Sequence, residues 1–532
     1  MMKLSLKTRI FALIIAIASI ATVVSASSKQ GVFAEEGTKY VKSVYVTLTD
    51  EITVNYKAII PAGTTKAEMT FYYRDREFTE TLERAQAGEH IFRFTELSPQ
   101  YMAEKVSYKL SLYGETNVEE VCAVDNEFSL KTYAETLLSK SAYDLNQTAD
   151  ENLKMRTLLV DLLFYGKAAA EYRGEGADPT TGLSEEVKAL KSAFTQVENT
   201  DKKIEITGEN PFKTVGLYFA NKLGVYYTFA IDKAETDELV LKINKGEEVT
   251  EINDFTVDEN GVFTGIYEDI TLLEFDVPVI AELFKNGVSC GTKLTYSVKS
   301  NVYAFQSDTK DEAFKTLVQA VYNCSRIASD YKTATETPVS YEVETKNCMV
   351  WYESTAFSPS GKGGYVNCII DSTKNPNAVK EEDKTWTVNN WPSDEYVGSI
   401  PENGYITFCI NSEIEGFAEV TLVASSAEVE KHNNWVPIET KVIDLSSAYT
   451  LTYGAYINYD RKDGKIYKGV SVGGDKTNNE NGNYALWVAW HTVTLGKVYL
   501  YRGANFIKLT RNQGGGTGIN VKSATFKITD RK

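Results

Sequence analysis

Residues 484–526 read YALWVAWHTVTLGKVYLYRGANFIKLTRNQGGGTGINVKSATF, and this stretch decides how the last third of the chain folds. Trp487 and Trp490 stand three apart. Apolar residues then alternate at Val493 and Leu495, slip in phase at Gly496, and resume at Val498 and Leu500. A turn at Arg502-Gly503-Ala504 leads to a second strand over 505–509. The glycine run Gly514 to Gly516 passes through Gly518 to Asn520 and a closing strand over 524–526. Period-two alternation bounded by Gly and Asn predicts antiparallel strands joined by loops. Aromatics before one strand and an Asn in the loop before another can meet at one edge of a sandwich. Such a pairing suits a sugar: the C–H face of a pyranose packs on an aromatic ring, and an amide both donates to and accepts from hydroxyls.

Upstream text follows the same plan. Trp351-Tyr352-Glu353 opens a strand, and Gly361-Lys362-Gly363-Gly364-Tyr365-Val366 reads as a glycine-rich loop holding Tyr365. Glu402 to Phe408 (ENGYITF) and Glu415 to Val420 (EGFAEV) are further strands. With W-x-x-W-x-T, V-x-L-x-x-G-x-N-x-I-x-L and G-G-x-G-x-N in that order, the region resembles family six and family thirty-five carbohydrate-binding modules. The resemblance implies a jelly-roll sandwich that binds a polysaccharide at its loop edge. Trp487 is then the ring platform, Tyr365 a second wall and Asn520 the ligand-binding amide, with Trp490 beside them. At spacing three on a strand the two tryptophans point to opposite faces, so one belongs to the core. Such modules often hold a structural calcium among acidic residues. Glu353 is kept here as a metal ligand, but Trp351 and Lys522 stand where the other carboxylates belong. A lysine there repels the ion, so no cofactor is expected.

The chain has 532 residues, enough for several domains, and 43% of them are hydrophobic, enough for large cores. A net charge of −17 argues against nucleic acid or an anionic membrane surface as partner. Lys3, Lys7 and Arg9 precede the short apolar run 10–18, and small residues follow at Val24-Ser25-Ala26 and Val32-Phe33-Ala34. This pattern predicts a secretory signal over 1–34 and an extracellular or cell-surface protein. Elsewhere no apolar run is long enough to span a membrane. The cysteines, 122, 290, 324, 348, 368 and 409, form no C-x-x-C pair, so they read as small buried residues rather than a zinc site, with disulfides among Cys348, Cys368 and Cys409 as the alternative in a secreted chain.

From 40 to 130 short strands alternate with turns, and Val106 to Tyr113 is the clearest. Helices are expected over 132–138 and 152–173, and from Ser184, as N-cap, to Phe194. The plan then repeats: strands over 204–298 and a helix over 311–331. Lys167 to Arg173 (KAAAEYR) aligns without a gap with Arg326 to Lys332 (RIASDYK). The expected architecture is mainly β and multidomain: two β-sandwich-plus-helix modules over 38–198 and 199–332, a linker over 333–344, and the jelly roll over 345–532. The paired modules resemble strand-then-helix units of large surface proteins of Gram-positive anaerobes. All six tryptophans lie beyond residue 350, which marks a different task for the last domain. Trp386, Trp391 and Trp435 sit in polar, Asn-rich segments and read as loop residues folded back onto the sandwich.

Catalytic signals are scarce. Only His90, His432 and His491 are histidines, and H-E-x-x-H is missing. The sequence leans away from an enzyme and towards a non-catalytic glycan-binding protein. Two other readings stand beside it: a hydrolase with an unfamiliar catalytic module in 40–332 and a hidden carboxylate pair, and a structural adhesion protein without sugar binding.

Overall fold

The computed structural model describes residues 40–48, 52–114, 117–198, 202–219, 223–231, 238–306, 311–344, 349–352, 364–367, 397–400, 404–425, 438–444, 491–511 and 519–531. The protein is mainly β, with several antiparallel sheets. It divides into two compact units, Met1–Leu145 with Ala149–Glu336, and Asn146–Thr148 with Thr337–Lys532.

The first unit holds two sandwiches. In the first, strands Val41–Leu48, Ile52–Ile60 and Gly88–Phe94 form one sheet, and Arg76–Leu82, Thr64–Tyr73, Ser107–Gly114 and Val118–Val121 form the other. Strand Thr64–Tyr73 shows the cause: Ala67, Met69, Phe71 and Tyr73 are buried while the residues between them face out. Tyr56 on one sheet meets Phe71 at 5.1 Å and Tyr108 at 5.4 Å on the other, closing the core.

The second sandwich pairs a four-stranded sheet (Thr256–Val257, Val262–Tyr267, Leu223–Ala230, Phe212–Phe219) with a five-stranded one (Glu248–Ile252, Leu239–Lys245, Val279–Lys285, Val288–Tyr296, Lys203–Ile206). Across the outer face of the larger sheet, register sets Glu251, Lys242, Glu282, Lys293 and Glu205 side by side. Alternating signs on neighbouring strands favour this register over a slip of one residue, which would bring leucines outward. Lys242 meets Glu251 at 2.7 Å and Lys293 meets Glu282 at 3.8 Å.

Each sandwich leads into a short helix and then a long one. Ser129 Oγ accepts the Thr132 N–H at 3.1 Å and caps Leu130–Leu138. Ser297 Oγ accepts the Ser300 N–H at 3.2 Å and caps Val298–Phe305. The long helices Ala149–Arg173 and Glu312–Glu336 pack together. In the register that aligns Lys167 with Arg326, buried positions fall on buried positions: Leu158 and Leu317, Leu159 and Val318, Leu162 and Val321, Tyr165 and Cys324, Ala169 and Ala328. One continuous apolar core runs through both sandwiches and both helices.

Three expectations need correction. The helix expected from Ser184 to Phe194 is only Glu185–Lys188, although Ser184 caps it. The chain leaves the helix because Ser192 is drawn to the long helices. Asp161 accepts its N–H at 2.9 Å and its hydroxyl at 2.5 Å, and Asn323 donates to its carbonyl at 3.1 Å. Residues 333–344 hold the last turn of helix Glu312–Glu336 and a strand, Ser340–Glu344. The closing strand is not confined to 524–526 but spans Ile519–Arg531, because it has neighbours on both sides along most of its length.

Among the described residues the second unit has two five-stranded antiparallel sheets. One orders Ser340–Glu344, Ile519–Arg531, Gly416–Ser425 and His491–Leu500, with Val397–Ile400 also on Ile519–Arg531. The other orders Gly364–Asn367, Met349–Tyr352, Gly404–Ser412, Gly503–Arg511 and Ile438–Asp444. Phe408 and Phe526 meet edge to face at 5.8 Å between the sheets. The phase slip at Gly496 is a β-bulge: Val420 pairs with Gly496, Thr421 with Thr494, and Gly496 takes φ +130°, which a side chain disfavours.

Asp161 supplies a test of the helix core. Burial raises its carboxyl above the usual range, opposed by the Ser192 hydrogen bonds and by the charges of Arg326 and Lys191. The folded chain therefore binds this proton more tightly than the unfolded chain. The group's contribution to stability is complete below the unfolded value, near about pH 4, and is lost as pH rises through the folded value. Asp161→Asn cannot ionise. The variant's unfolding midpoint, minus that of the wild type, should become more positive from about pH 4 to about pH 7. A constant or opposite difference in thermal melts would contradict this assignment.

Candidate functional site at one end of the C-terminal sandwich

Strand direction brings two of the expected site positions, Tyr365 and Asn520, to one end of the second unit. In the first sheet, Ser425 pairs with Asn520, and Ala424 pairs with both Val521 and His491. Ile400 pairs with Ile519 and Val397 with Val521 on the other side. In the second sheet, Gly404 pairs with Tyr352, Tyr352 with Gly364, and Tyr405 with Thr510. Strand Gly503–Arg511 ends there, and the chain passes through 512–518 to begin Ile519–Arg531 in the facing sheet. The same end therefore carries the start of the last strand, the start of the strand that follows Trp490, and the hairpin holding Tyr365.

Two expected loop residues lie in strands instead. Tyr365 belongs to Gly364–Asn367 and pairs with Trp351. Asn520 is the second residue of Ile519–Arg531. Glycines on the N-terminal side of each suggested loop, but both positions are claimed by ladder hydrogen bonds. Trp487, Trp490 and Glu353 lie outside the described residues, as do Trp386, Trp391 and Trp435. Val397–Ile400 at this end was not foreseen. Its four residues, Val-Gly-Ser-Ile, are too few to show alternation.

Lys522, where the calcium-binding pattern expects a carboxylate, lies in strand Ile519–Arg531 and is half-buried. Among the described residues no group of three His, Cys, Asp or Glu side chains could hold a metal ion. His90, the histidine of the first unit, lies in strand Gly88–Phe94, with its ring 4.7 Å from that of Phe92 and its pKa held down by burial. Of the cysteines, Cys122 and Cys324 are buried and Cys290 half-buried, all three as free thiols. Among the described residues no helix is long and apolar enough to cross a membrane.

No protein-family model matches the chain, and no curated protein matches it. Among solved structures, it is similar to the GH26-CBM35 β-(1,4)-mannanase of Podospora anserina, with 14% identity, 37% of this chain and 28% of that one covered, and a TM-score of 0.18. It is similar to the isomalto-dextranase of Arthrobacter globiformis T6 complexed with panose, with 9% identity, coverage of 71% and 48%, and a TM-score of 0.21. The exo-β-1,3-galactanase of Phanerochaete chrysosporium with galactose gives 9% identity, coverage of 91% and 81%, and a TM-score of 0.17. The chain spans less than half the length of the first two. Likeness at these scores carries no argument about this protein.

The lysine at 522 yields a direct expectation. Excess EDTA should leave the thermal unfolding midpoint of the metal-replete protein unchanged, because the Lys522 ammonium would repel a calcium ion there. A midpoint that falls on chelation and returns with calcium would show a bound structural ion.

Proposed function

We propose that this is a secreted or cell-surface, non-catalytic carbohydrate-binding protein that holds a polysaccharide at the Asn520 end of its C-terminal sandwich. The observation that carries the reading is the convergence of strand starts at Asn520, His491 and Gly364 on one end of two facing sheets. The sequence supplies sugar-binding chemistry at or next to those positions: Trp487 and Trp490 before His491, Tyr365 after Gly364, and the Asn520 amide. Trp487 serves as the platform for a pyranose face, Tyr365 as a second wall, and Asn520 as donor and acceptor to hydroxyls. The sandwich-plus-helix arrays of the first unit act as spacers or adhesion modules.

Intrinsic tryptophan fluorescence of the full chain, titrated with neutral plant and microbial polysaccharides, tests this. Saturable binding should appear with at least one of them. Trp487→Ala should weaken it about tenfold or more, the loss of one aromatic contact of roughly 1.5 kcal/mol, and Asn520→Ala by several-fold, about the worth of one hydrogen bond. Unchanged binding in Trp487→Ala would remove the loop-end site. Release of reducing ends from any bound glycan would overturn the non-catalytic assignment.

A further inference from the structure

The opposite end of the same sandwich carries a second cluster of aromatic side chains. Strand Gly416–Ser425 and strand His491–Leu500 are neighbours, with Gly416 opposite Leu500 and Phe417 opposite Tyr499. Gly416, Leu500 and Ala418 face the core. The intervening positions are half-buried or exposed: Glu415 just before one strand and Phe417 on it, Tyr499 on the next and Tyr501 just after it. Phe417 is exposed at 38%, the most open ring of the group. Its ring lies 5.2 Å from that of Tyr499 at 77°, and Tyr499 lies 4.9 Å from Tyr501 at 72°. The Tyr499 hydroxyl donates to the Glu415 carboxylate at 3.1 Å. Burial and that carboxylate keep the phenol protonated well above its usual range.

The cluster stands on a rigid base. Asn505, 1% exposed, accepts the Tyr501 N–H at 2.8 Å and donates to the Tyr501 and Gly503 carbonyls at 2.6 and 2.9 Å. The turn that carries Glu415 is held by Tyr341, whose hydroxyl accepts the Glu413 N–H at 2.9 Å. Asn146, part of the same unit, pairs with both backbone groups of Glu415, accepting its N–H at 2.7 Å and donating to its carbonyl at 3.1 Å. Gly416 permits this packing, because a Cβ there would stand 2.4 Å from the Asp530 carbonyl oxygen. Positions two apart on a strand are about 7 Å apart and neighbouring strands about 5 Å, so the two-by-two patch measures about 5 by 7 Å. That is the footprint of one pyranose ring. It is far short of the roughly 800 Å² that each partner buries in a stable protein interface.

We infer that Glu415, Phe417, Tyr499 and Tyr501 form a second, independent subsite for one neutral sugar residue, at the end of the sandwich remote from Asn520. The Phe417 face takes the C–H side of the ring. The hydroxyl of Tyr499 already donates to Glu415, and its oxygen keeps acceptor capacity for a sugar hydroxyl. The chain's net charge of −17 disfavours uronic acids and sulfated sugars, so the ligand is uncharged. Two subsites at opposite ends let one chain bridge two glycan strands, or bind a dense glycan surface with an avidity that neither site gives alone.

Affinity electrophoresis of the full chain tests this, in gels containing xylan, glucomannan, β-1,3-glucan or dextran, with polygalacturonate as the anionic control. Phe417→Ala and Tyr501→Ala, both on the surface, should each weaken retardation in at least one neutral gel by about three- to tenfold, the worth of one aromatic contact. Phe417→Tyr should keep retardation within about twofold, because it retains the ring face. Polygalacturonate should not retard the wild type. Trp487→Ala in the same gels separates the two ends. If it alone abolishes retardation while Phe417→Ala and Tyr501→Ala match the wild type, the second subsite is refuted and the Asn520-end site stands. If Phe417→Ala weakens retardation that Trp487→Ala leaves intact, the reverse holds. No retardation in any neutral gel, or equal retardation by polygalacturonate, overturns the inference.

Discussion

The pairing of strand Ile519–Arg531 with neighbours on both flanks organises the second unit. Gly416–Ser425 runs along one side for most of its length, while Ser340–Glu344 and Val397–Ile400 share the other. Its inward side chains Val521, Ala524, Phe526 and Ile528 are buried. A strand paired on both sides cannot slip by one residue without turning that apolar set to water and its polar set into the core. Its register therefore fixes where Asn520 stands, and with it which strand ends meet there.

That constraint explains how a site can be assembled from residues far apart in sequence. Tyr365, Val397, His491 and Asn520 share one end because four strands terminate there, not because any of them are close along the chain. The opposite end obeys the same register, which sets Phe417 beside Tyr499. A sandwich built this way offers two rigid ends, with side chains displayed at strand termini where the ladder no longer needs them. Binding residues commonly sit at such places, held by a scaffold that does not have to move.

Much of this was legible in the sequence, for physical reasons that also mark the limits. Alternation in Val106 to Tyr113 and in His491–Leu500 announced strands, and the phase slip read at Gly496 falls on the bulge, because period-two burial leaves a direct trace. Ser184 and its acidic neighbours announced a helix start. Where that helix stops was not readable, because it depends on Ser192 reaching Asp161 and Asn323 in distant helices. Tyr365 and Asn520 read as loop residues because glycines lie just before them, yet ladder pairing with Trp351 and Ser425 overrides that local signal. Val397–Ile400 left no signal at all, and Phe417 and Tyr499 each look like ordinary strand aromatics until register sets them side by side.

Hydrogen–deuterium exchange of the full chain, with and without a saturating glycan, tests the central claim most directly. The account predicts that the glycan slows exchange at amides of Val397–Ile400, at 424–425 and at the start of Ile519–Arg531, the strand ends around Asn520. Protection confined to the sandwiches and helices of the first unit, with those strand ends unchanged, would contradict it.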